Sequence, residues 1–279
     1  MTFTFYNDLG RFKLSGSACE GFCICSVSGL EPVSLTRTLE TYIGEDGCVE
    51  NSSHYGQRII TISGDLKMNK NSKDEIRNAM RVLSRKCTLT IDTGDKKRCI
   101  DVNASTFTLG KKYSKYQTFV IQLISDYPHF TDENLTGAVL FKKDRLLSKN
   151  TIFPAVLSKR ISSCTLENNG DLTIYPVITI TKKDDVIRNN EILIENETTG
   201  KKILLNKTMS CGEVIVVDIK NRRITSSIEG NILGTLNIYS SLSDFFCDVG
   251  ENLINVSVNG EQTGVEIMIS HFNEYLEAI

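Results

Sequence analysis

The two cysteines in Cys23-Ile24-Cys25 come nearest to a chemical motif in this sequence. Residues two apart on a β-strand face the same side, so both thiols would lie on one face of a sheet. The spacing differs from the Cys-x-x-Cys knuckle of a zinc ribbon, and no second pair completes four ligands. The chain has nine cysteines, an odd number at irregular spacings. Because the start at Met1 has no feature of a signal peptide, we expect free thiols in a protein made in a cytosol.

Histidines, acids and glycine-rich motifs do not form a recognisable catalytic set. His54, His129 and His271 lie in different regions, without the His-x-x-x-His or His-Glu-x-x-His spacing of metal sites. The sequence has no Gly-x-Ser-x-Gly nucleophile elbow, no phosphate-binding glycine loop and no dinucleotide fingerprint. The acidic pairs Asp184-Asp185 and Glu195/Glu197 occur in turn-like segments, so a glycosidase hypothesis rests on carboxylate abundance alone. We therefore predict no enzyme, no catalytic residue, no metal and no cofactor.

Two patterns could instead bind a ligand. Lys111–Tyr116 interleaves basic and aromatic residues, which is one pattern of nucleic-acid binding. The chain has a net charge of −2, however, so we interpret this stretch as a solvated turn. Sugar binding is the stronger rival, because exposed aromatic rings could form a glycan platform at Tyr175, Tyr239 and Phe245. The chain has no tryptophan. A stand-alone carbohydrate-binding β-sandwich protein is thus the alternative function.

The composition is that of a folded protein with one large domain or two ordinary ones. Its 279 residues are 40% hydrophobic and 24% charged. This balance is too apolar for a disordered chain. No window approaches the roughly 20 apolar residues that a membrane-spanning helix needs. We expect neither nucleic acid nor membrane as a partner.

The first half reads as β-strands with one helix. Strands are predicted at 58–65, 87–91, 97–102 and 116–125, and a short apolar strand with Phe3 and Phe5 begins the chain, either forming sheet or contacting a neighbour. A helix is predicted over about 73–85. Its signals are a capping box from Ser72 to Glu75 and one apolar face. That face comprises Ile76, Ala79, Met80 and Leu83.

The second half reads as almost pure β-structure. Hairpins are predicted around Asn168–Asp171, between strands 163–167 and 172–181, and around Asn196–Gly200, between strands 192–195 and 201–205. Pro176 predicts an edge strand or a bulge. Further strands are predicted at 214–219, 224–227, 235–239, 253–258 and 265–270. We therefore expect a mainly β protein: residues 1–130 as a β-sandwich or barrel-like domain with the helix, 131–150 as a connection with a short strand at 138–141, and 151–279 as a β-sandwich.

The order of these motifs resembles a known family. The first half carries, in order, strand, helix, hairpin and strand motifs at Ile62–Asp65, Glu75–Leu83, Arg98–Ile100 and Tyr127-Pro128. The second half carries turn motifs at Asn168–Asp171 before Tyr175–Ile180, at Ile194–Gly200, at Gly212-Glu213 and at Gly250–Ile254. Over roughly residues 55–270 the chain resembles the distal tail proteins (Dit) of long-tailed phages. The family's glycine and proline after the Tyr-Pro strand are replaced here by Lys182–Asp185, and the Cys19–Cys25 stretch is unusual.

The resemblance implies a structural hub at the tip of a phage tail. Such proteins form a homo-hexameric ring between the tail tube protein and a tail-associated baseplate or fibre protein, and they often hold receptor-binding components. The family's C-terminal domain is a galectin-like (jelly-roll) β-sandwich. The implied location is the virion tail tip, after assembly in the host cytoplasm. Phe3, Phe5, Tyr127 and Pro128 are our candidates for the ring or partner interface.

Overall fold

The structure, a computed structural model, describes residues 1–16, 21–44, 46–140, 144–145, 158–159, 162–183, 191–259 and 264–278. The chain packs into two compact units, which are Met1–Glu133 together with the residues from Tyr275 on, and Asn134–Glu274. Three features named in the sequence analysis lie outside the described residues: Phe141 at the end of the predicted strand 138–141, the acidic pair Asp184-Asp185, and Cys19. Within the described ranges, no helix has the length and apolar character that crossing a membrane requires.

The first unit is built from ten described strands and one α-helix. It also includes Tyr275, the second residue of a short strand near the end of the chain. The strands are β1 (Thr2–Asn7), β2 (Gly10–Ser15), β3 (Phe22–Ser28), β4 (Leu35–Glu40), β5 (Val49–Tyr55), β6 (Arg58–Lys67), β7 (Cys87–Asp92), β8 (Lys97–Lys112), β9 (Tyr116–Ser125) and β10 (Phe130–Asp132). The helix α1 is Ser72–Leu83.

One long strand closes the first unit into a barrel. The first part of β8, Lys97–Val102, pairs with β7. Its second part, from Asn103 to Lys112, pairs with β9, and the register shifts after Ala104. Such a bulge bends a strand, and here it lets β8 serve two partners. Seven strands therefore close in the order β8-β7-β1-β2-β3-β6-β9. This confirms the predicted barrel-like β domain with one helix.

The N-terminal strand builds the barrel core. Phe3 and Phe5 are 0% exposed. Phe3 pairs with Leu14 of β2, and Phe5 pairs with Leu89 of β7. Both rings pack in the hydrophobic core of this unit, and burying each phenylalanine contributes about 1.5–3 kcal/mol. The alternative left open by the sequence is thus decided in favour of sheet formation.

The helix differs in detail from the prediction. It begins at Ser72 and ends at Leu83, and Asn71 is its N-cap without a side-chain capping bond. The predicted capping box is not formed, because the Ser72 hydroxyl donates back to the Asn69 side chain at 3.0 Å. The buried face includes Val82 beside Ala79 and Leu83. The buried face of the helix is therefore rotated towards Val82 and away from Met80. Met80 is 49% exposed, so the prediction that it lies on the buried face was wrong.

The second unit is a sandwich of two sheets. Its strands are β11 (Thr136–Leu140), β12 (Asp144–Arg145), β13 (Ser158–Lys159), β14 (Ser163–Asn168), β15 (Val177–Lys182), β16 (Glu191–Asn196), β17 (Lys201–Leu205), β18 (Val214–Asp218), β19 (Arg223–Ser226), β20 (Gly230–Asn231), β21 (Gly250–Asn259) and β22 (Val265–His271), followed by β23 (Glu274–Tyr275) where the chain leaves the unit. The sheet orders are β11-β22-β15-β18-β19-β20 and β14-β21-β16-β17. Both sheets bury alternate residues in one core, among them Ile178, Ile180, Ile192 and Ile194. The predicted β-sandwich is confirmed.

Two local predictions in this unit are wrong. The Asn168–Asp171 turn does not make a hairpin, since β14 pairs with β21 and β15 pairs with β18 and β22. The turn instead carries the chain from one sheet to the other. Pro176 lies just before β15, an internal strand, so its missing amide costs no ladder bond. The hairpin across Asn196–Gly200 is confirmed by the pairing of β16 with β17.

The predicted strand at 235–239 is also absent. A 3-10 helix covers Leu233–Thr235 in its place, and a second one covers Leu242–Asp244. The amide of Tyr239 donates to the Asn237 side chain at 3.0 Å. Such local side-chain bonds compete with sheet pairing. The aromatic and β-branched residues that suggested a strand are exposed, Ile238 to 87% and Tyr239 to 84%.

Candidate functional site

The most unusual side chain of the first unit is a buried arginine at the start of β6. Arg58 is 1% exposed. Its Nη1 donates to the carbonyls of Gly29 and Glu31 at 2.8 and 2.6 Å. Its Nη2 donates to the Leu276 carbonyl at 2.7 Å, and its Nε to the Pro128 carbonyl at 2.5 Å. One cation therefore ties together three segments that are distant in sequence.

The charge of this arginine survives burial. Desolvation lowers the pKa of the Arg58 guanidinium to about 10, and the negative charge of Glu31 acts in the opposite direction. The group is thus protonated at neutral pH and keeps all its donors. Its carbon Cζ also lies 4.4 Å from the ring centre of Phe130, a cation–π contact. The network is a rigid structural anchor without a reacting group.

The anchor holds the root of an exposed hairpin, which we call the arm (Leu35–Tyr55, in its described residues). Its strands β4 and β5 pair with each other and form a separate two-stranded sheet. Every β4 residue is exposed, and so is every β5 residue before Tyr55. Two-stranded hairpins are at best marginally stable in water. The carbonyls of Gly29 and Glu31, bound by Arg58, fix the chain just before the arm begins.

The arm exposes apolar side chains that a free hairpin would normally avoid. Leu39 is 51% exposed and Val49 49%. At the tip, Tyr42 is 57% exposed and Ile43 fully so. Several exposed apolar side chains within one short projecting hairpin favour an interaction site. We therefore regard the arm as the candidate assembly site of the first unit.

The structure separates the four predicted interface residues. Tyr127 is 40% exposed. Its ring lies 5.1 Å from the His129 ring, which in turn contacts Tyr55 at the end of the arm. Pro128 is buried, with its carbonyl held by Arg58. Tyr127 thus lies at the arm root, whereas Pro128 belongs to the anchor.

Phe3 and Phe5 were wrong candidates for a partner interface. Both are 0% exposed within the barrel. Both rings belong to the hydrophobic core of the barrel, so no partner can reach them without opening it. Sequence alternation alone indicates a buried face, but it does not say whether the same chain or another one buries it.

The predicted glycan platform does not form as proposed. Phe245 is 1% exposed and belongs to the sandwich core. Tyr175 is 38% exposed and Tyr239 84% exposed. A sugar stacks on an exposed ring face, so Phe245 cannot take part. Only the two tyrosines remain available for the carbohydrate hypothesis.

Cys87, Cys164 and Cys247 have the chemistry of structural cysteines. A register shift at Cys25 interrupts the alternation of β3, and its thiol donates to Asp65 at 3.6 Å. Burial, with help from Asp65, raises the pKa of the Cys25 thiol. Burial raises the pKa of Cys87 and Cys164 to about 11 and that of Cys247 to about 12. Thiolates are the reactive form, so these buried groups are unreactive at neutral pH. Among the described residues, no group of three or more His, Cys, Asp or Glu side chains could hold a metal ion.

A protein-family model described as the C-terminal domain of siphovirus-type tail components matches residues 169–275. These residues are therefore similar to the C-terminal domain of siphovirus-type tail components. The matched range covers the larger part of the sandwich and includes strands of both of its sheets, but not β11 and β14. Comparison with curated protein sequences finds no match.

Nearly the whole chain is also similar in fold to a solved structure of a phage tail protein. SPP1 Dit, described as a paradigm of the hub adsorption apparatus in Gram-positive infecting phages, has a TM-score of 0.67 and 13% identity, over 97% of this chain and 98% of that one. At this identity the likeness shows the fold. The phage P2 baseplate in its activated conformation with Ca has a TM-score of 0.48 and 11% identity, over 96% of this chain and 97% of that one. The predicted resemblance to the distal tail proteins is confirmed, and it supports a structural role in a phage distal tail.

Sequence reasoning missed both Arg58 and the arm. The first 50 residues contributed nothing to the resemblance, and the arm strands have no buried face that would produce an alternating signal. One signal was present: Arg58 directly precedes the apolar run Ile59-Ile60, an unusual place for a charge unless it is paired.

Proposed function

We propose that this protein is a structural hub of the distal tail, which forms a homo-hexameric ring and joins the tail tube protein to the tail-tip or baseplate protein and to receptor-binding components. The observation that carries the proposal is the tail component domain at residues 169–275, attached to a closed barrel in a chain with the Dit fold. The proposed location is the tail tip of a virion or virion-like particle, after assembly in the host cytoplasm.

The architecture suits a ring subunit. A closed barrel has no free edge strands, so uncontrolled pairing with other chains is suppressed. Six-fold repetition of one heterologous contact closes without any single contact being strong. The arm is the obvious projection for such a contact, since Arg58 fixes its root and its apolar residues are exposed. We infer that the protein acts through its surfaces and catalyses no reaction.

The test is the mass and shape of the full-length protein at high concentration. Light scattering should give a mass six times that of the 31.2 kDa chain, and negative-stain images should show a six-fold annulus. Addition of the tube protein from the same particle should shift assembly to lower concentration. A chain that stays monomeric alone and with its tube protein overturns the proposal.

A further inference from the structure

The turn between β8 and β9 carries charge of one sign only. Residues 102–125, which include the second part of β8 and all of β9, contain no acid and no arginine. Their charged residues are three lysines, Lys111, Lys112 and Lys115. Lys67 of β6 lies directly opposite Tyr116, so a fourth lysine stands beside the turn. All four lysines are exposed and form no ion pair with any described residue. We call Lys111–Tyr116 together with Lys67 the basic tip.

Backbone hydrogen bonds hold the basic tip in place. The amide of Tyr113 donates to the carbonyl of Tyr116 at 2.8 Å and closes the turn. The amide of Met68, directly after β6, donates to the carbonyl of Lys115 at 2.8 Å and ties the turn to the barrel. The lysines therefore project from a fixed backbone.

No described acid neutralises these lysines. Asp65 precedes Lys67 by two residues on β6, but its carboxylate accepts a hydrogen bond from the Cys25 thiol at 3.6 Å. Like charges that are held close together repel each other and destabilise the folded chain. A turn with a structural role alone would be more stable with an acid among its lysines, so the uniform charge favours a ligand of opposite charge.

The tyrosines of the basic tip form a poor platform for nucleic-acid bases. The rings of Tyr113 and Tyr116 stack on each other, with centroids 4.6 Å apart and an angle of 23° between the ring planes. The Lys111 Nζ lies over the Tyr113 ring, 5.4 Å from its centre. Bases stack on free ring faces, whereas here each ring covers one face of the other. Arginine, the preferred side chain for phosphate and nucleic-acid recognition, is absent from the tip. The tip therefore suits a ligand that is recognised by its carboxylates.

We propose that the basic tip binds an acidic segment of a partner protein. It rests on the proposed hub function that this partner is another protein of the tail, because a hub must bind proteins other than its own copies. Ionised carboxylates only accept hydrogen bonds and ammonium groups only donate them, so the two are complementary. Opposite charges speed the encounter and select the partner, and salt screens them, with a Debye length of about 8 Å at 0.15 M and about 3 Å at 1 M. Binding should therefore weaken as salt is added.

The experiment measures binding of a labelled peptide of alternating Glu and Gly to the full-length chain by fluorescence anisotropy. A peptide with Gln in place of Glu is the uncharged probe, and a single-stranded oligothymidylate is the nucleic-acid probe. The tip variant is Lys111→Gln with Lys112→Gln and Lys115→Gln. The matched control is Lys96→Gln with Lys202→Gln and Arg223→Gln, which removes the same charge at exposed positions outside the tip. Circular dichroism melting verifies that both variants fold.

The wild type and the control variant should bind the acidic peptide equally, and the Gln peptide should not bind. Binding should weaken roughly tenfold or more in the tip variant, and by a similar factor in the wild type between 0.05 and 0.5 M NaCl. A wild type that does not bind the acidic peptide, or a tip variant that binds it as tightly as the wild type, overturns the proposal. Tighter binding of the oligothymidylate than of the acidic peptide, lost in the tip variant, assigns the tip to nucleic acid and overturns it too.

Light scattering on the same samples separates the basic tip from the ring. A wild type that assembles but does not bind the acidic peptide overturns the tip proposal alone. A wild type that binds the peptide through the tip but never assembles overturns the ring, while the ligand class of the tip stands.

Discussion

Replacing Arg58 by methionine tests the anchor that holds the arm root and the last residues of the chain. The change removes hydrogen bonds to four backbone carbonyls, those of Gly29, Glu31, Pro128 and Leu276. A hydrogen bond from a charged donor contributes about 1.5–3 kcal/mol. Desolvation of the guanidinium, which costs several kcal/mol, offsets a large part of this sum. We expect a net loss of about 3 kcal/mol, since the Pro128 carbonyl stays buried without a donor.

Urea unfolding with linear extrapolation measures this loss. A loss of about 3 kcal/mol corresponds to a melting temperature lower by roughly 6–12 °C for a domain of this size. Arg58→Lys keeps the charge but cannot reproduce the planar fork, so its loss should be intermediate. Arg223→Met is the control, because Arg223 is exposed on β19. An Arg58→Met variant with the wild-type urea midpoint would refute the reasoning.

Three further predictions concern the core, the thiols and the alternative function. Phe5→Ala should lower the free energy of unfolding by about 3–5 kcal/mol through a core cavity, whereas Tyr6→Ala, at a site 45% exposed, should lower it by less than about 1 kcal/mol; urea unfolding compares them. The pKa of Cys247 is about 12 in the folded state against 9.0 in the unfolded one, so the unfolded state loses its proton first, and stability should hold below pH 9 and fall towards pH 12. Urea midpoints from pH 8 to 10.5 should fall less in Cys247→Ala. On a glycan array we expect the wild-type chain to bind no sugar. Sugar binding that is abolished by Tyr175→Ala or Tyr239→Ala would instead favour the carbohydrate-binding function.

Turn residues in the sequence predicted a hairpin correctly where the two strands that flank the turn pair with each other. The hairpin across Asn196–Gly200 formed because both strands stay in one sheet, and Gly200 takes the positive φ of 68° that the turn needs. The similar signal at Asn168–Asp171 failed, because a turn does not specify which sheet its second strand joins. There Gly170 packs against the Glu274 backbone, where a Cβ would lie 2.4 Å from the carbonyl oxygen.

The candidate site was predicted poorly, for a physical reason. Phe3 and Phe5 carry the same alternating signal whether their own barrel or a neighbour covers them. The arm has no buried face of its own, so its strands lack the contrast between apolar and polar positions that reveals a strand. Arg58 shows its role only through its four carbonyl partners, the farthest of which is 218 residues away.

The sequence by itself determined the mainly β class, the single long helix and the order of motifs that resembles the distal tail proteins, because these depend on turn residues and short-range periodicity. Tertiary structure decided that β8 bends between two partners to close the barrel, that Phe245 is buried, and that Arg58 joins the arm root to the end of the chain. Each of these depends on contacts between residues far apart in sequence, and short-range patterns carry no information about such contacts.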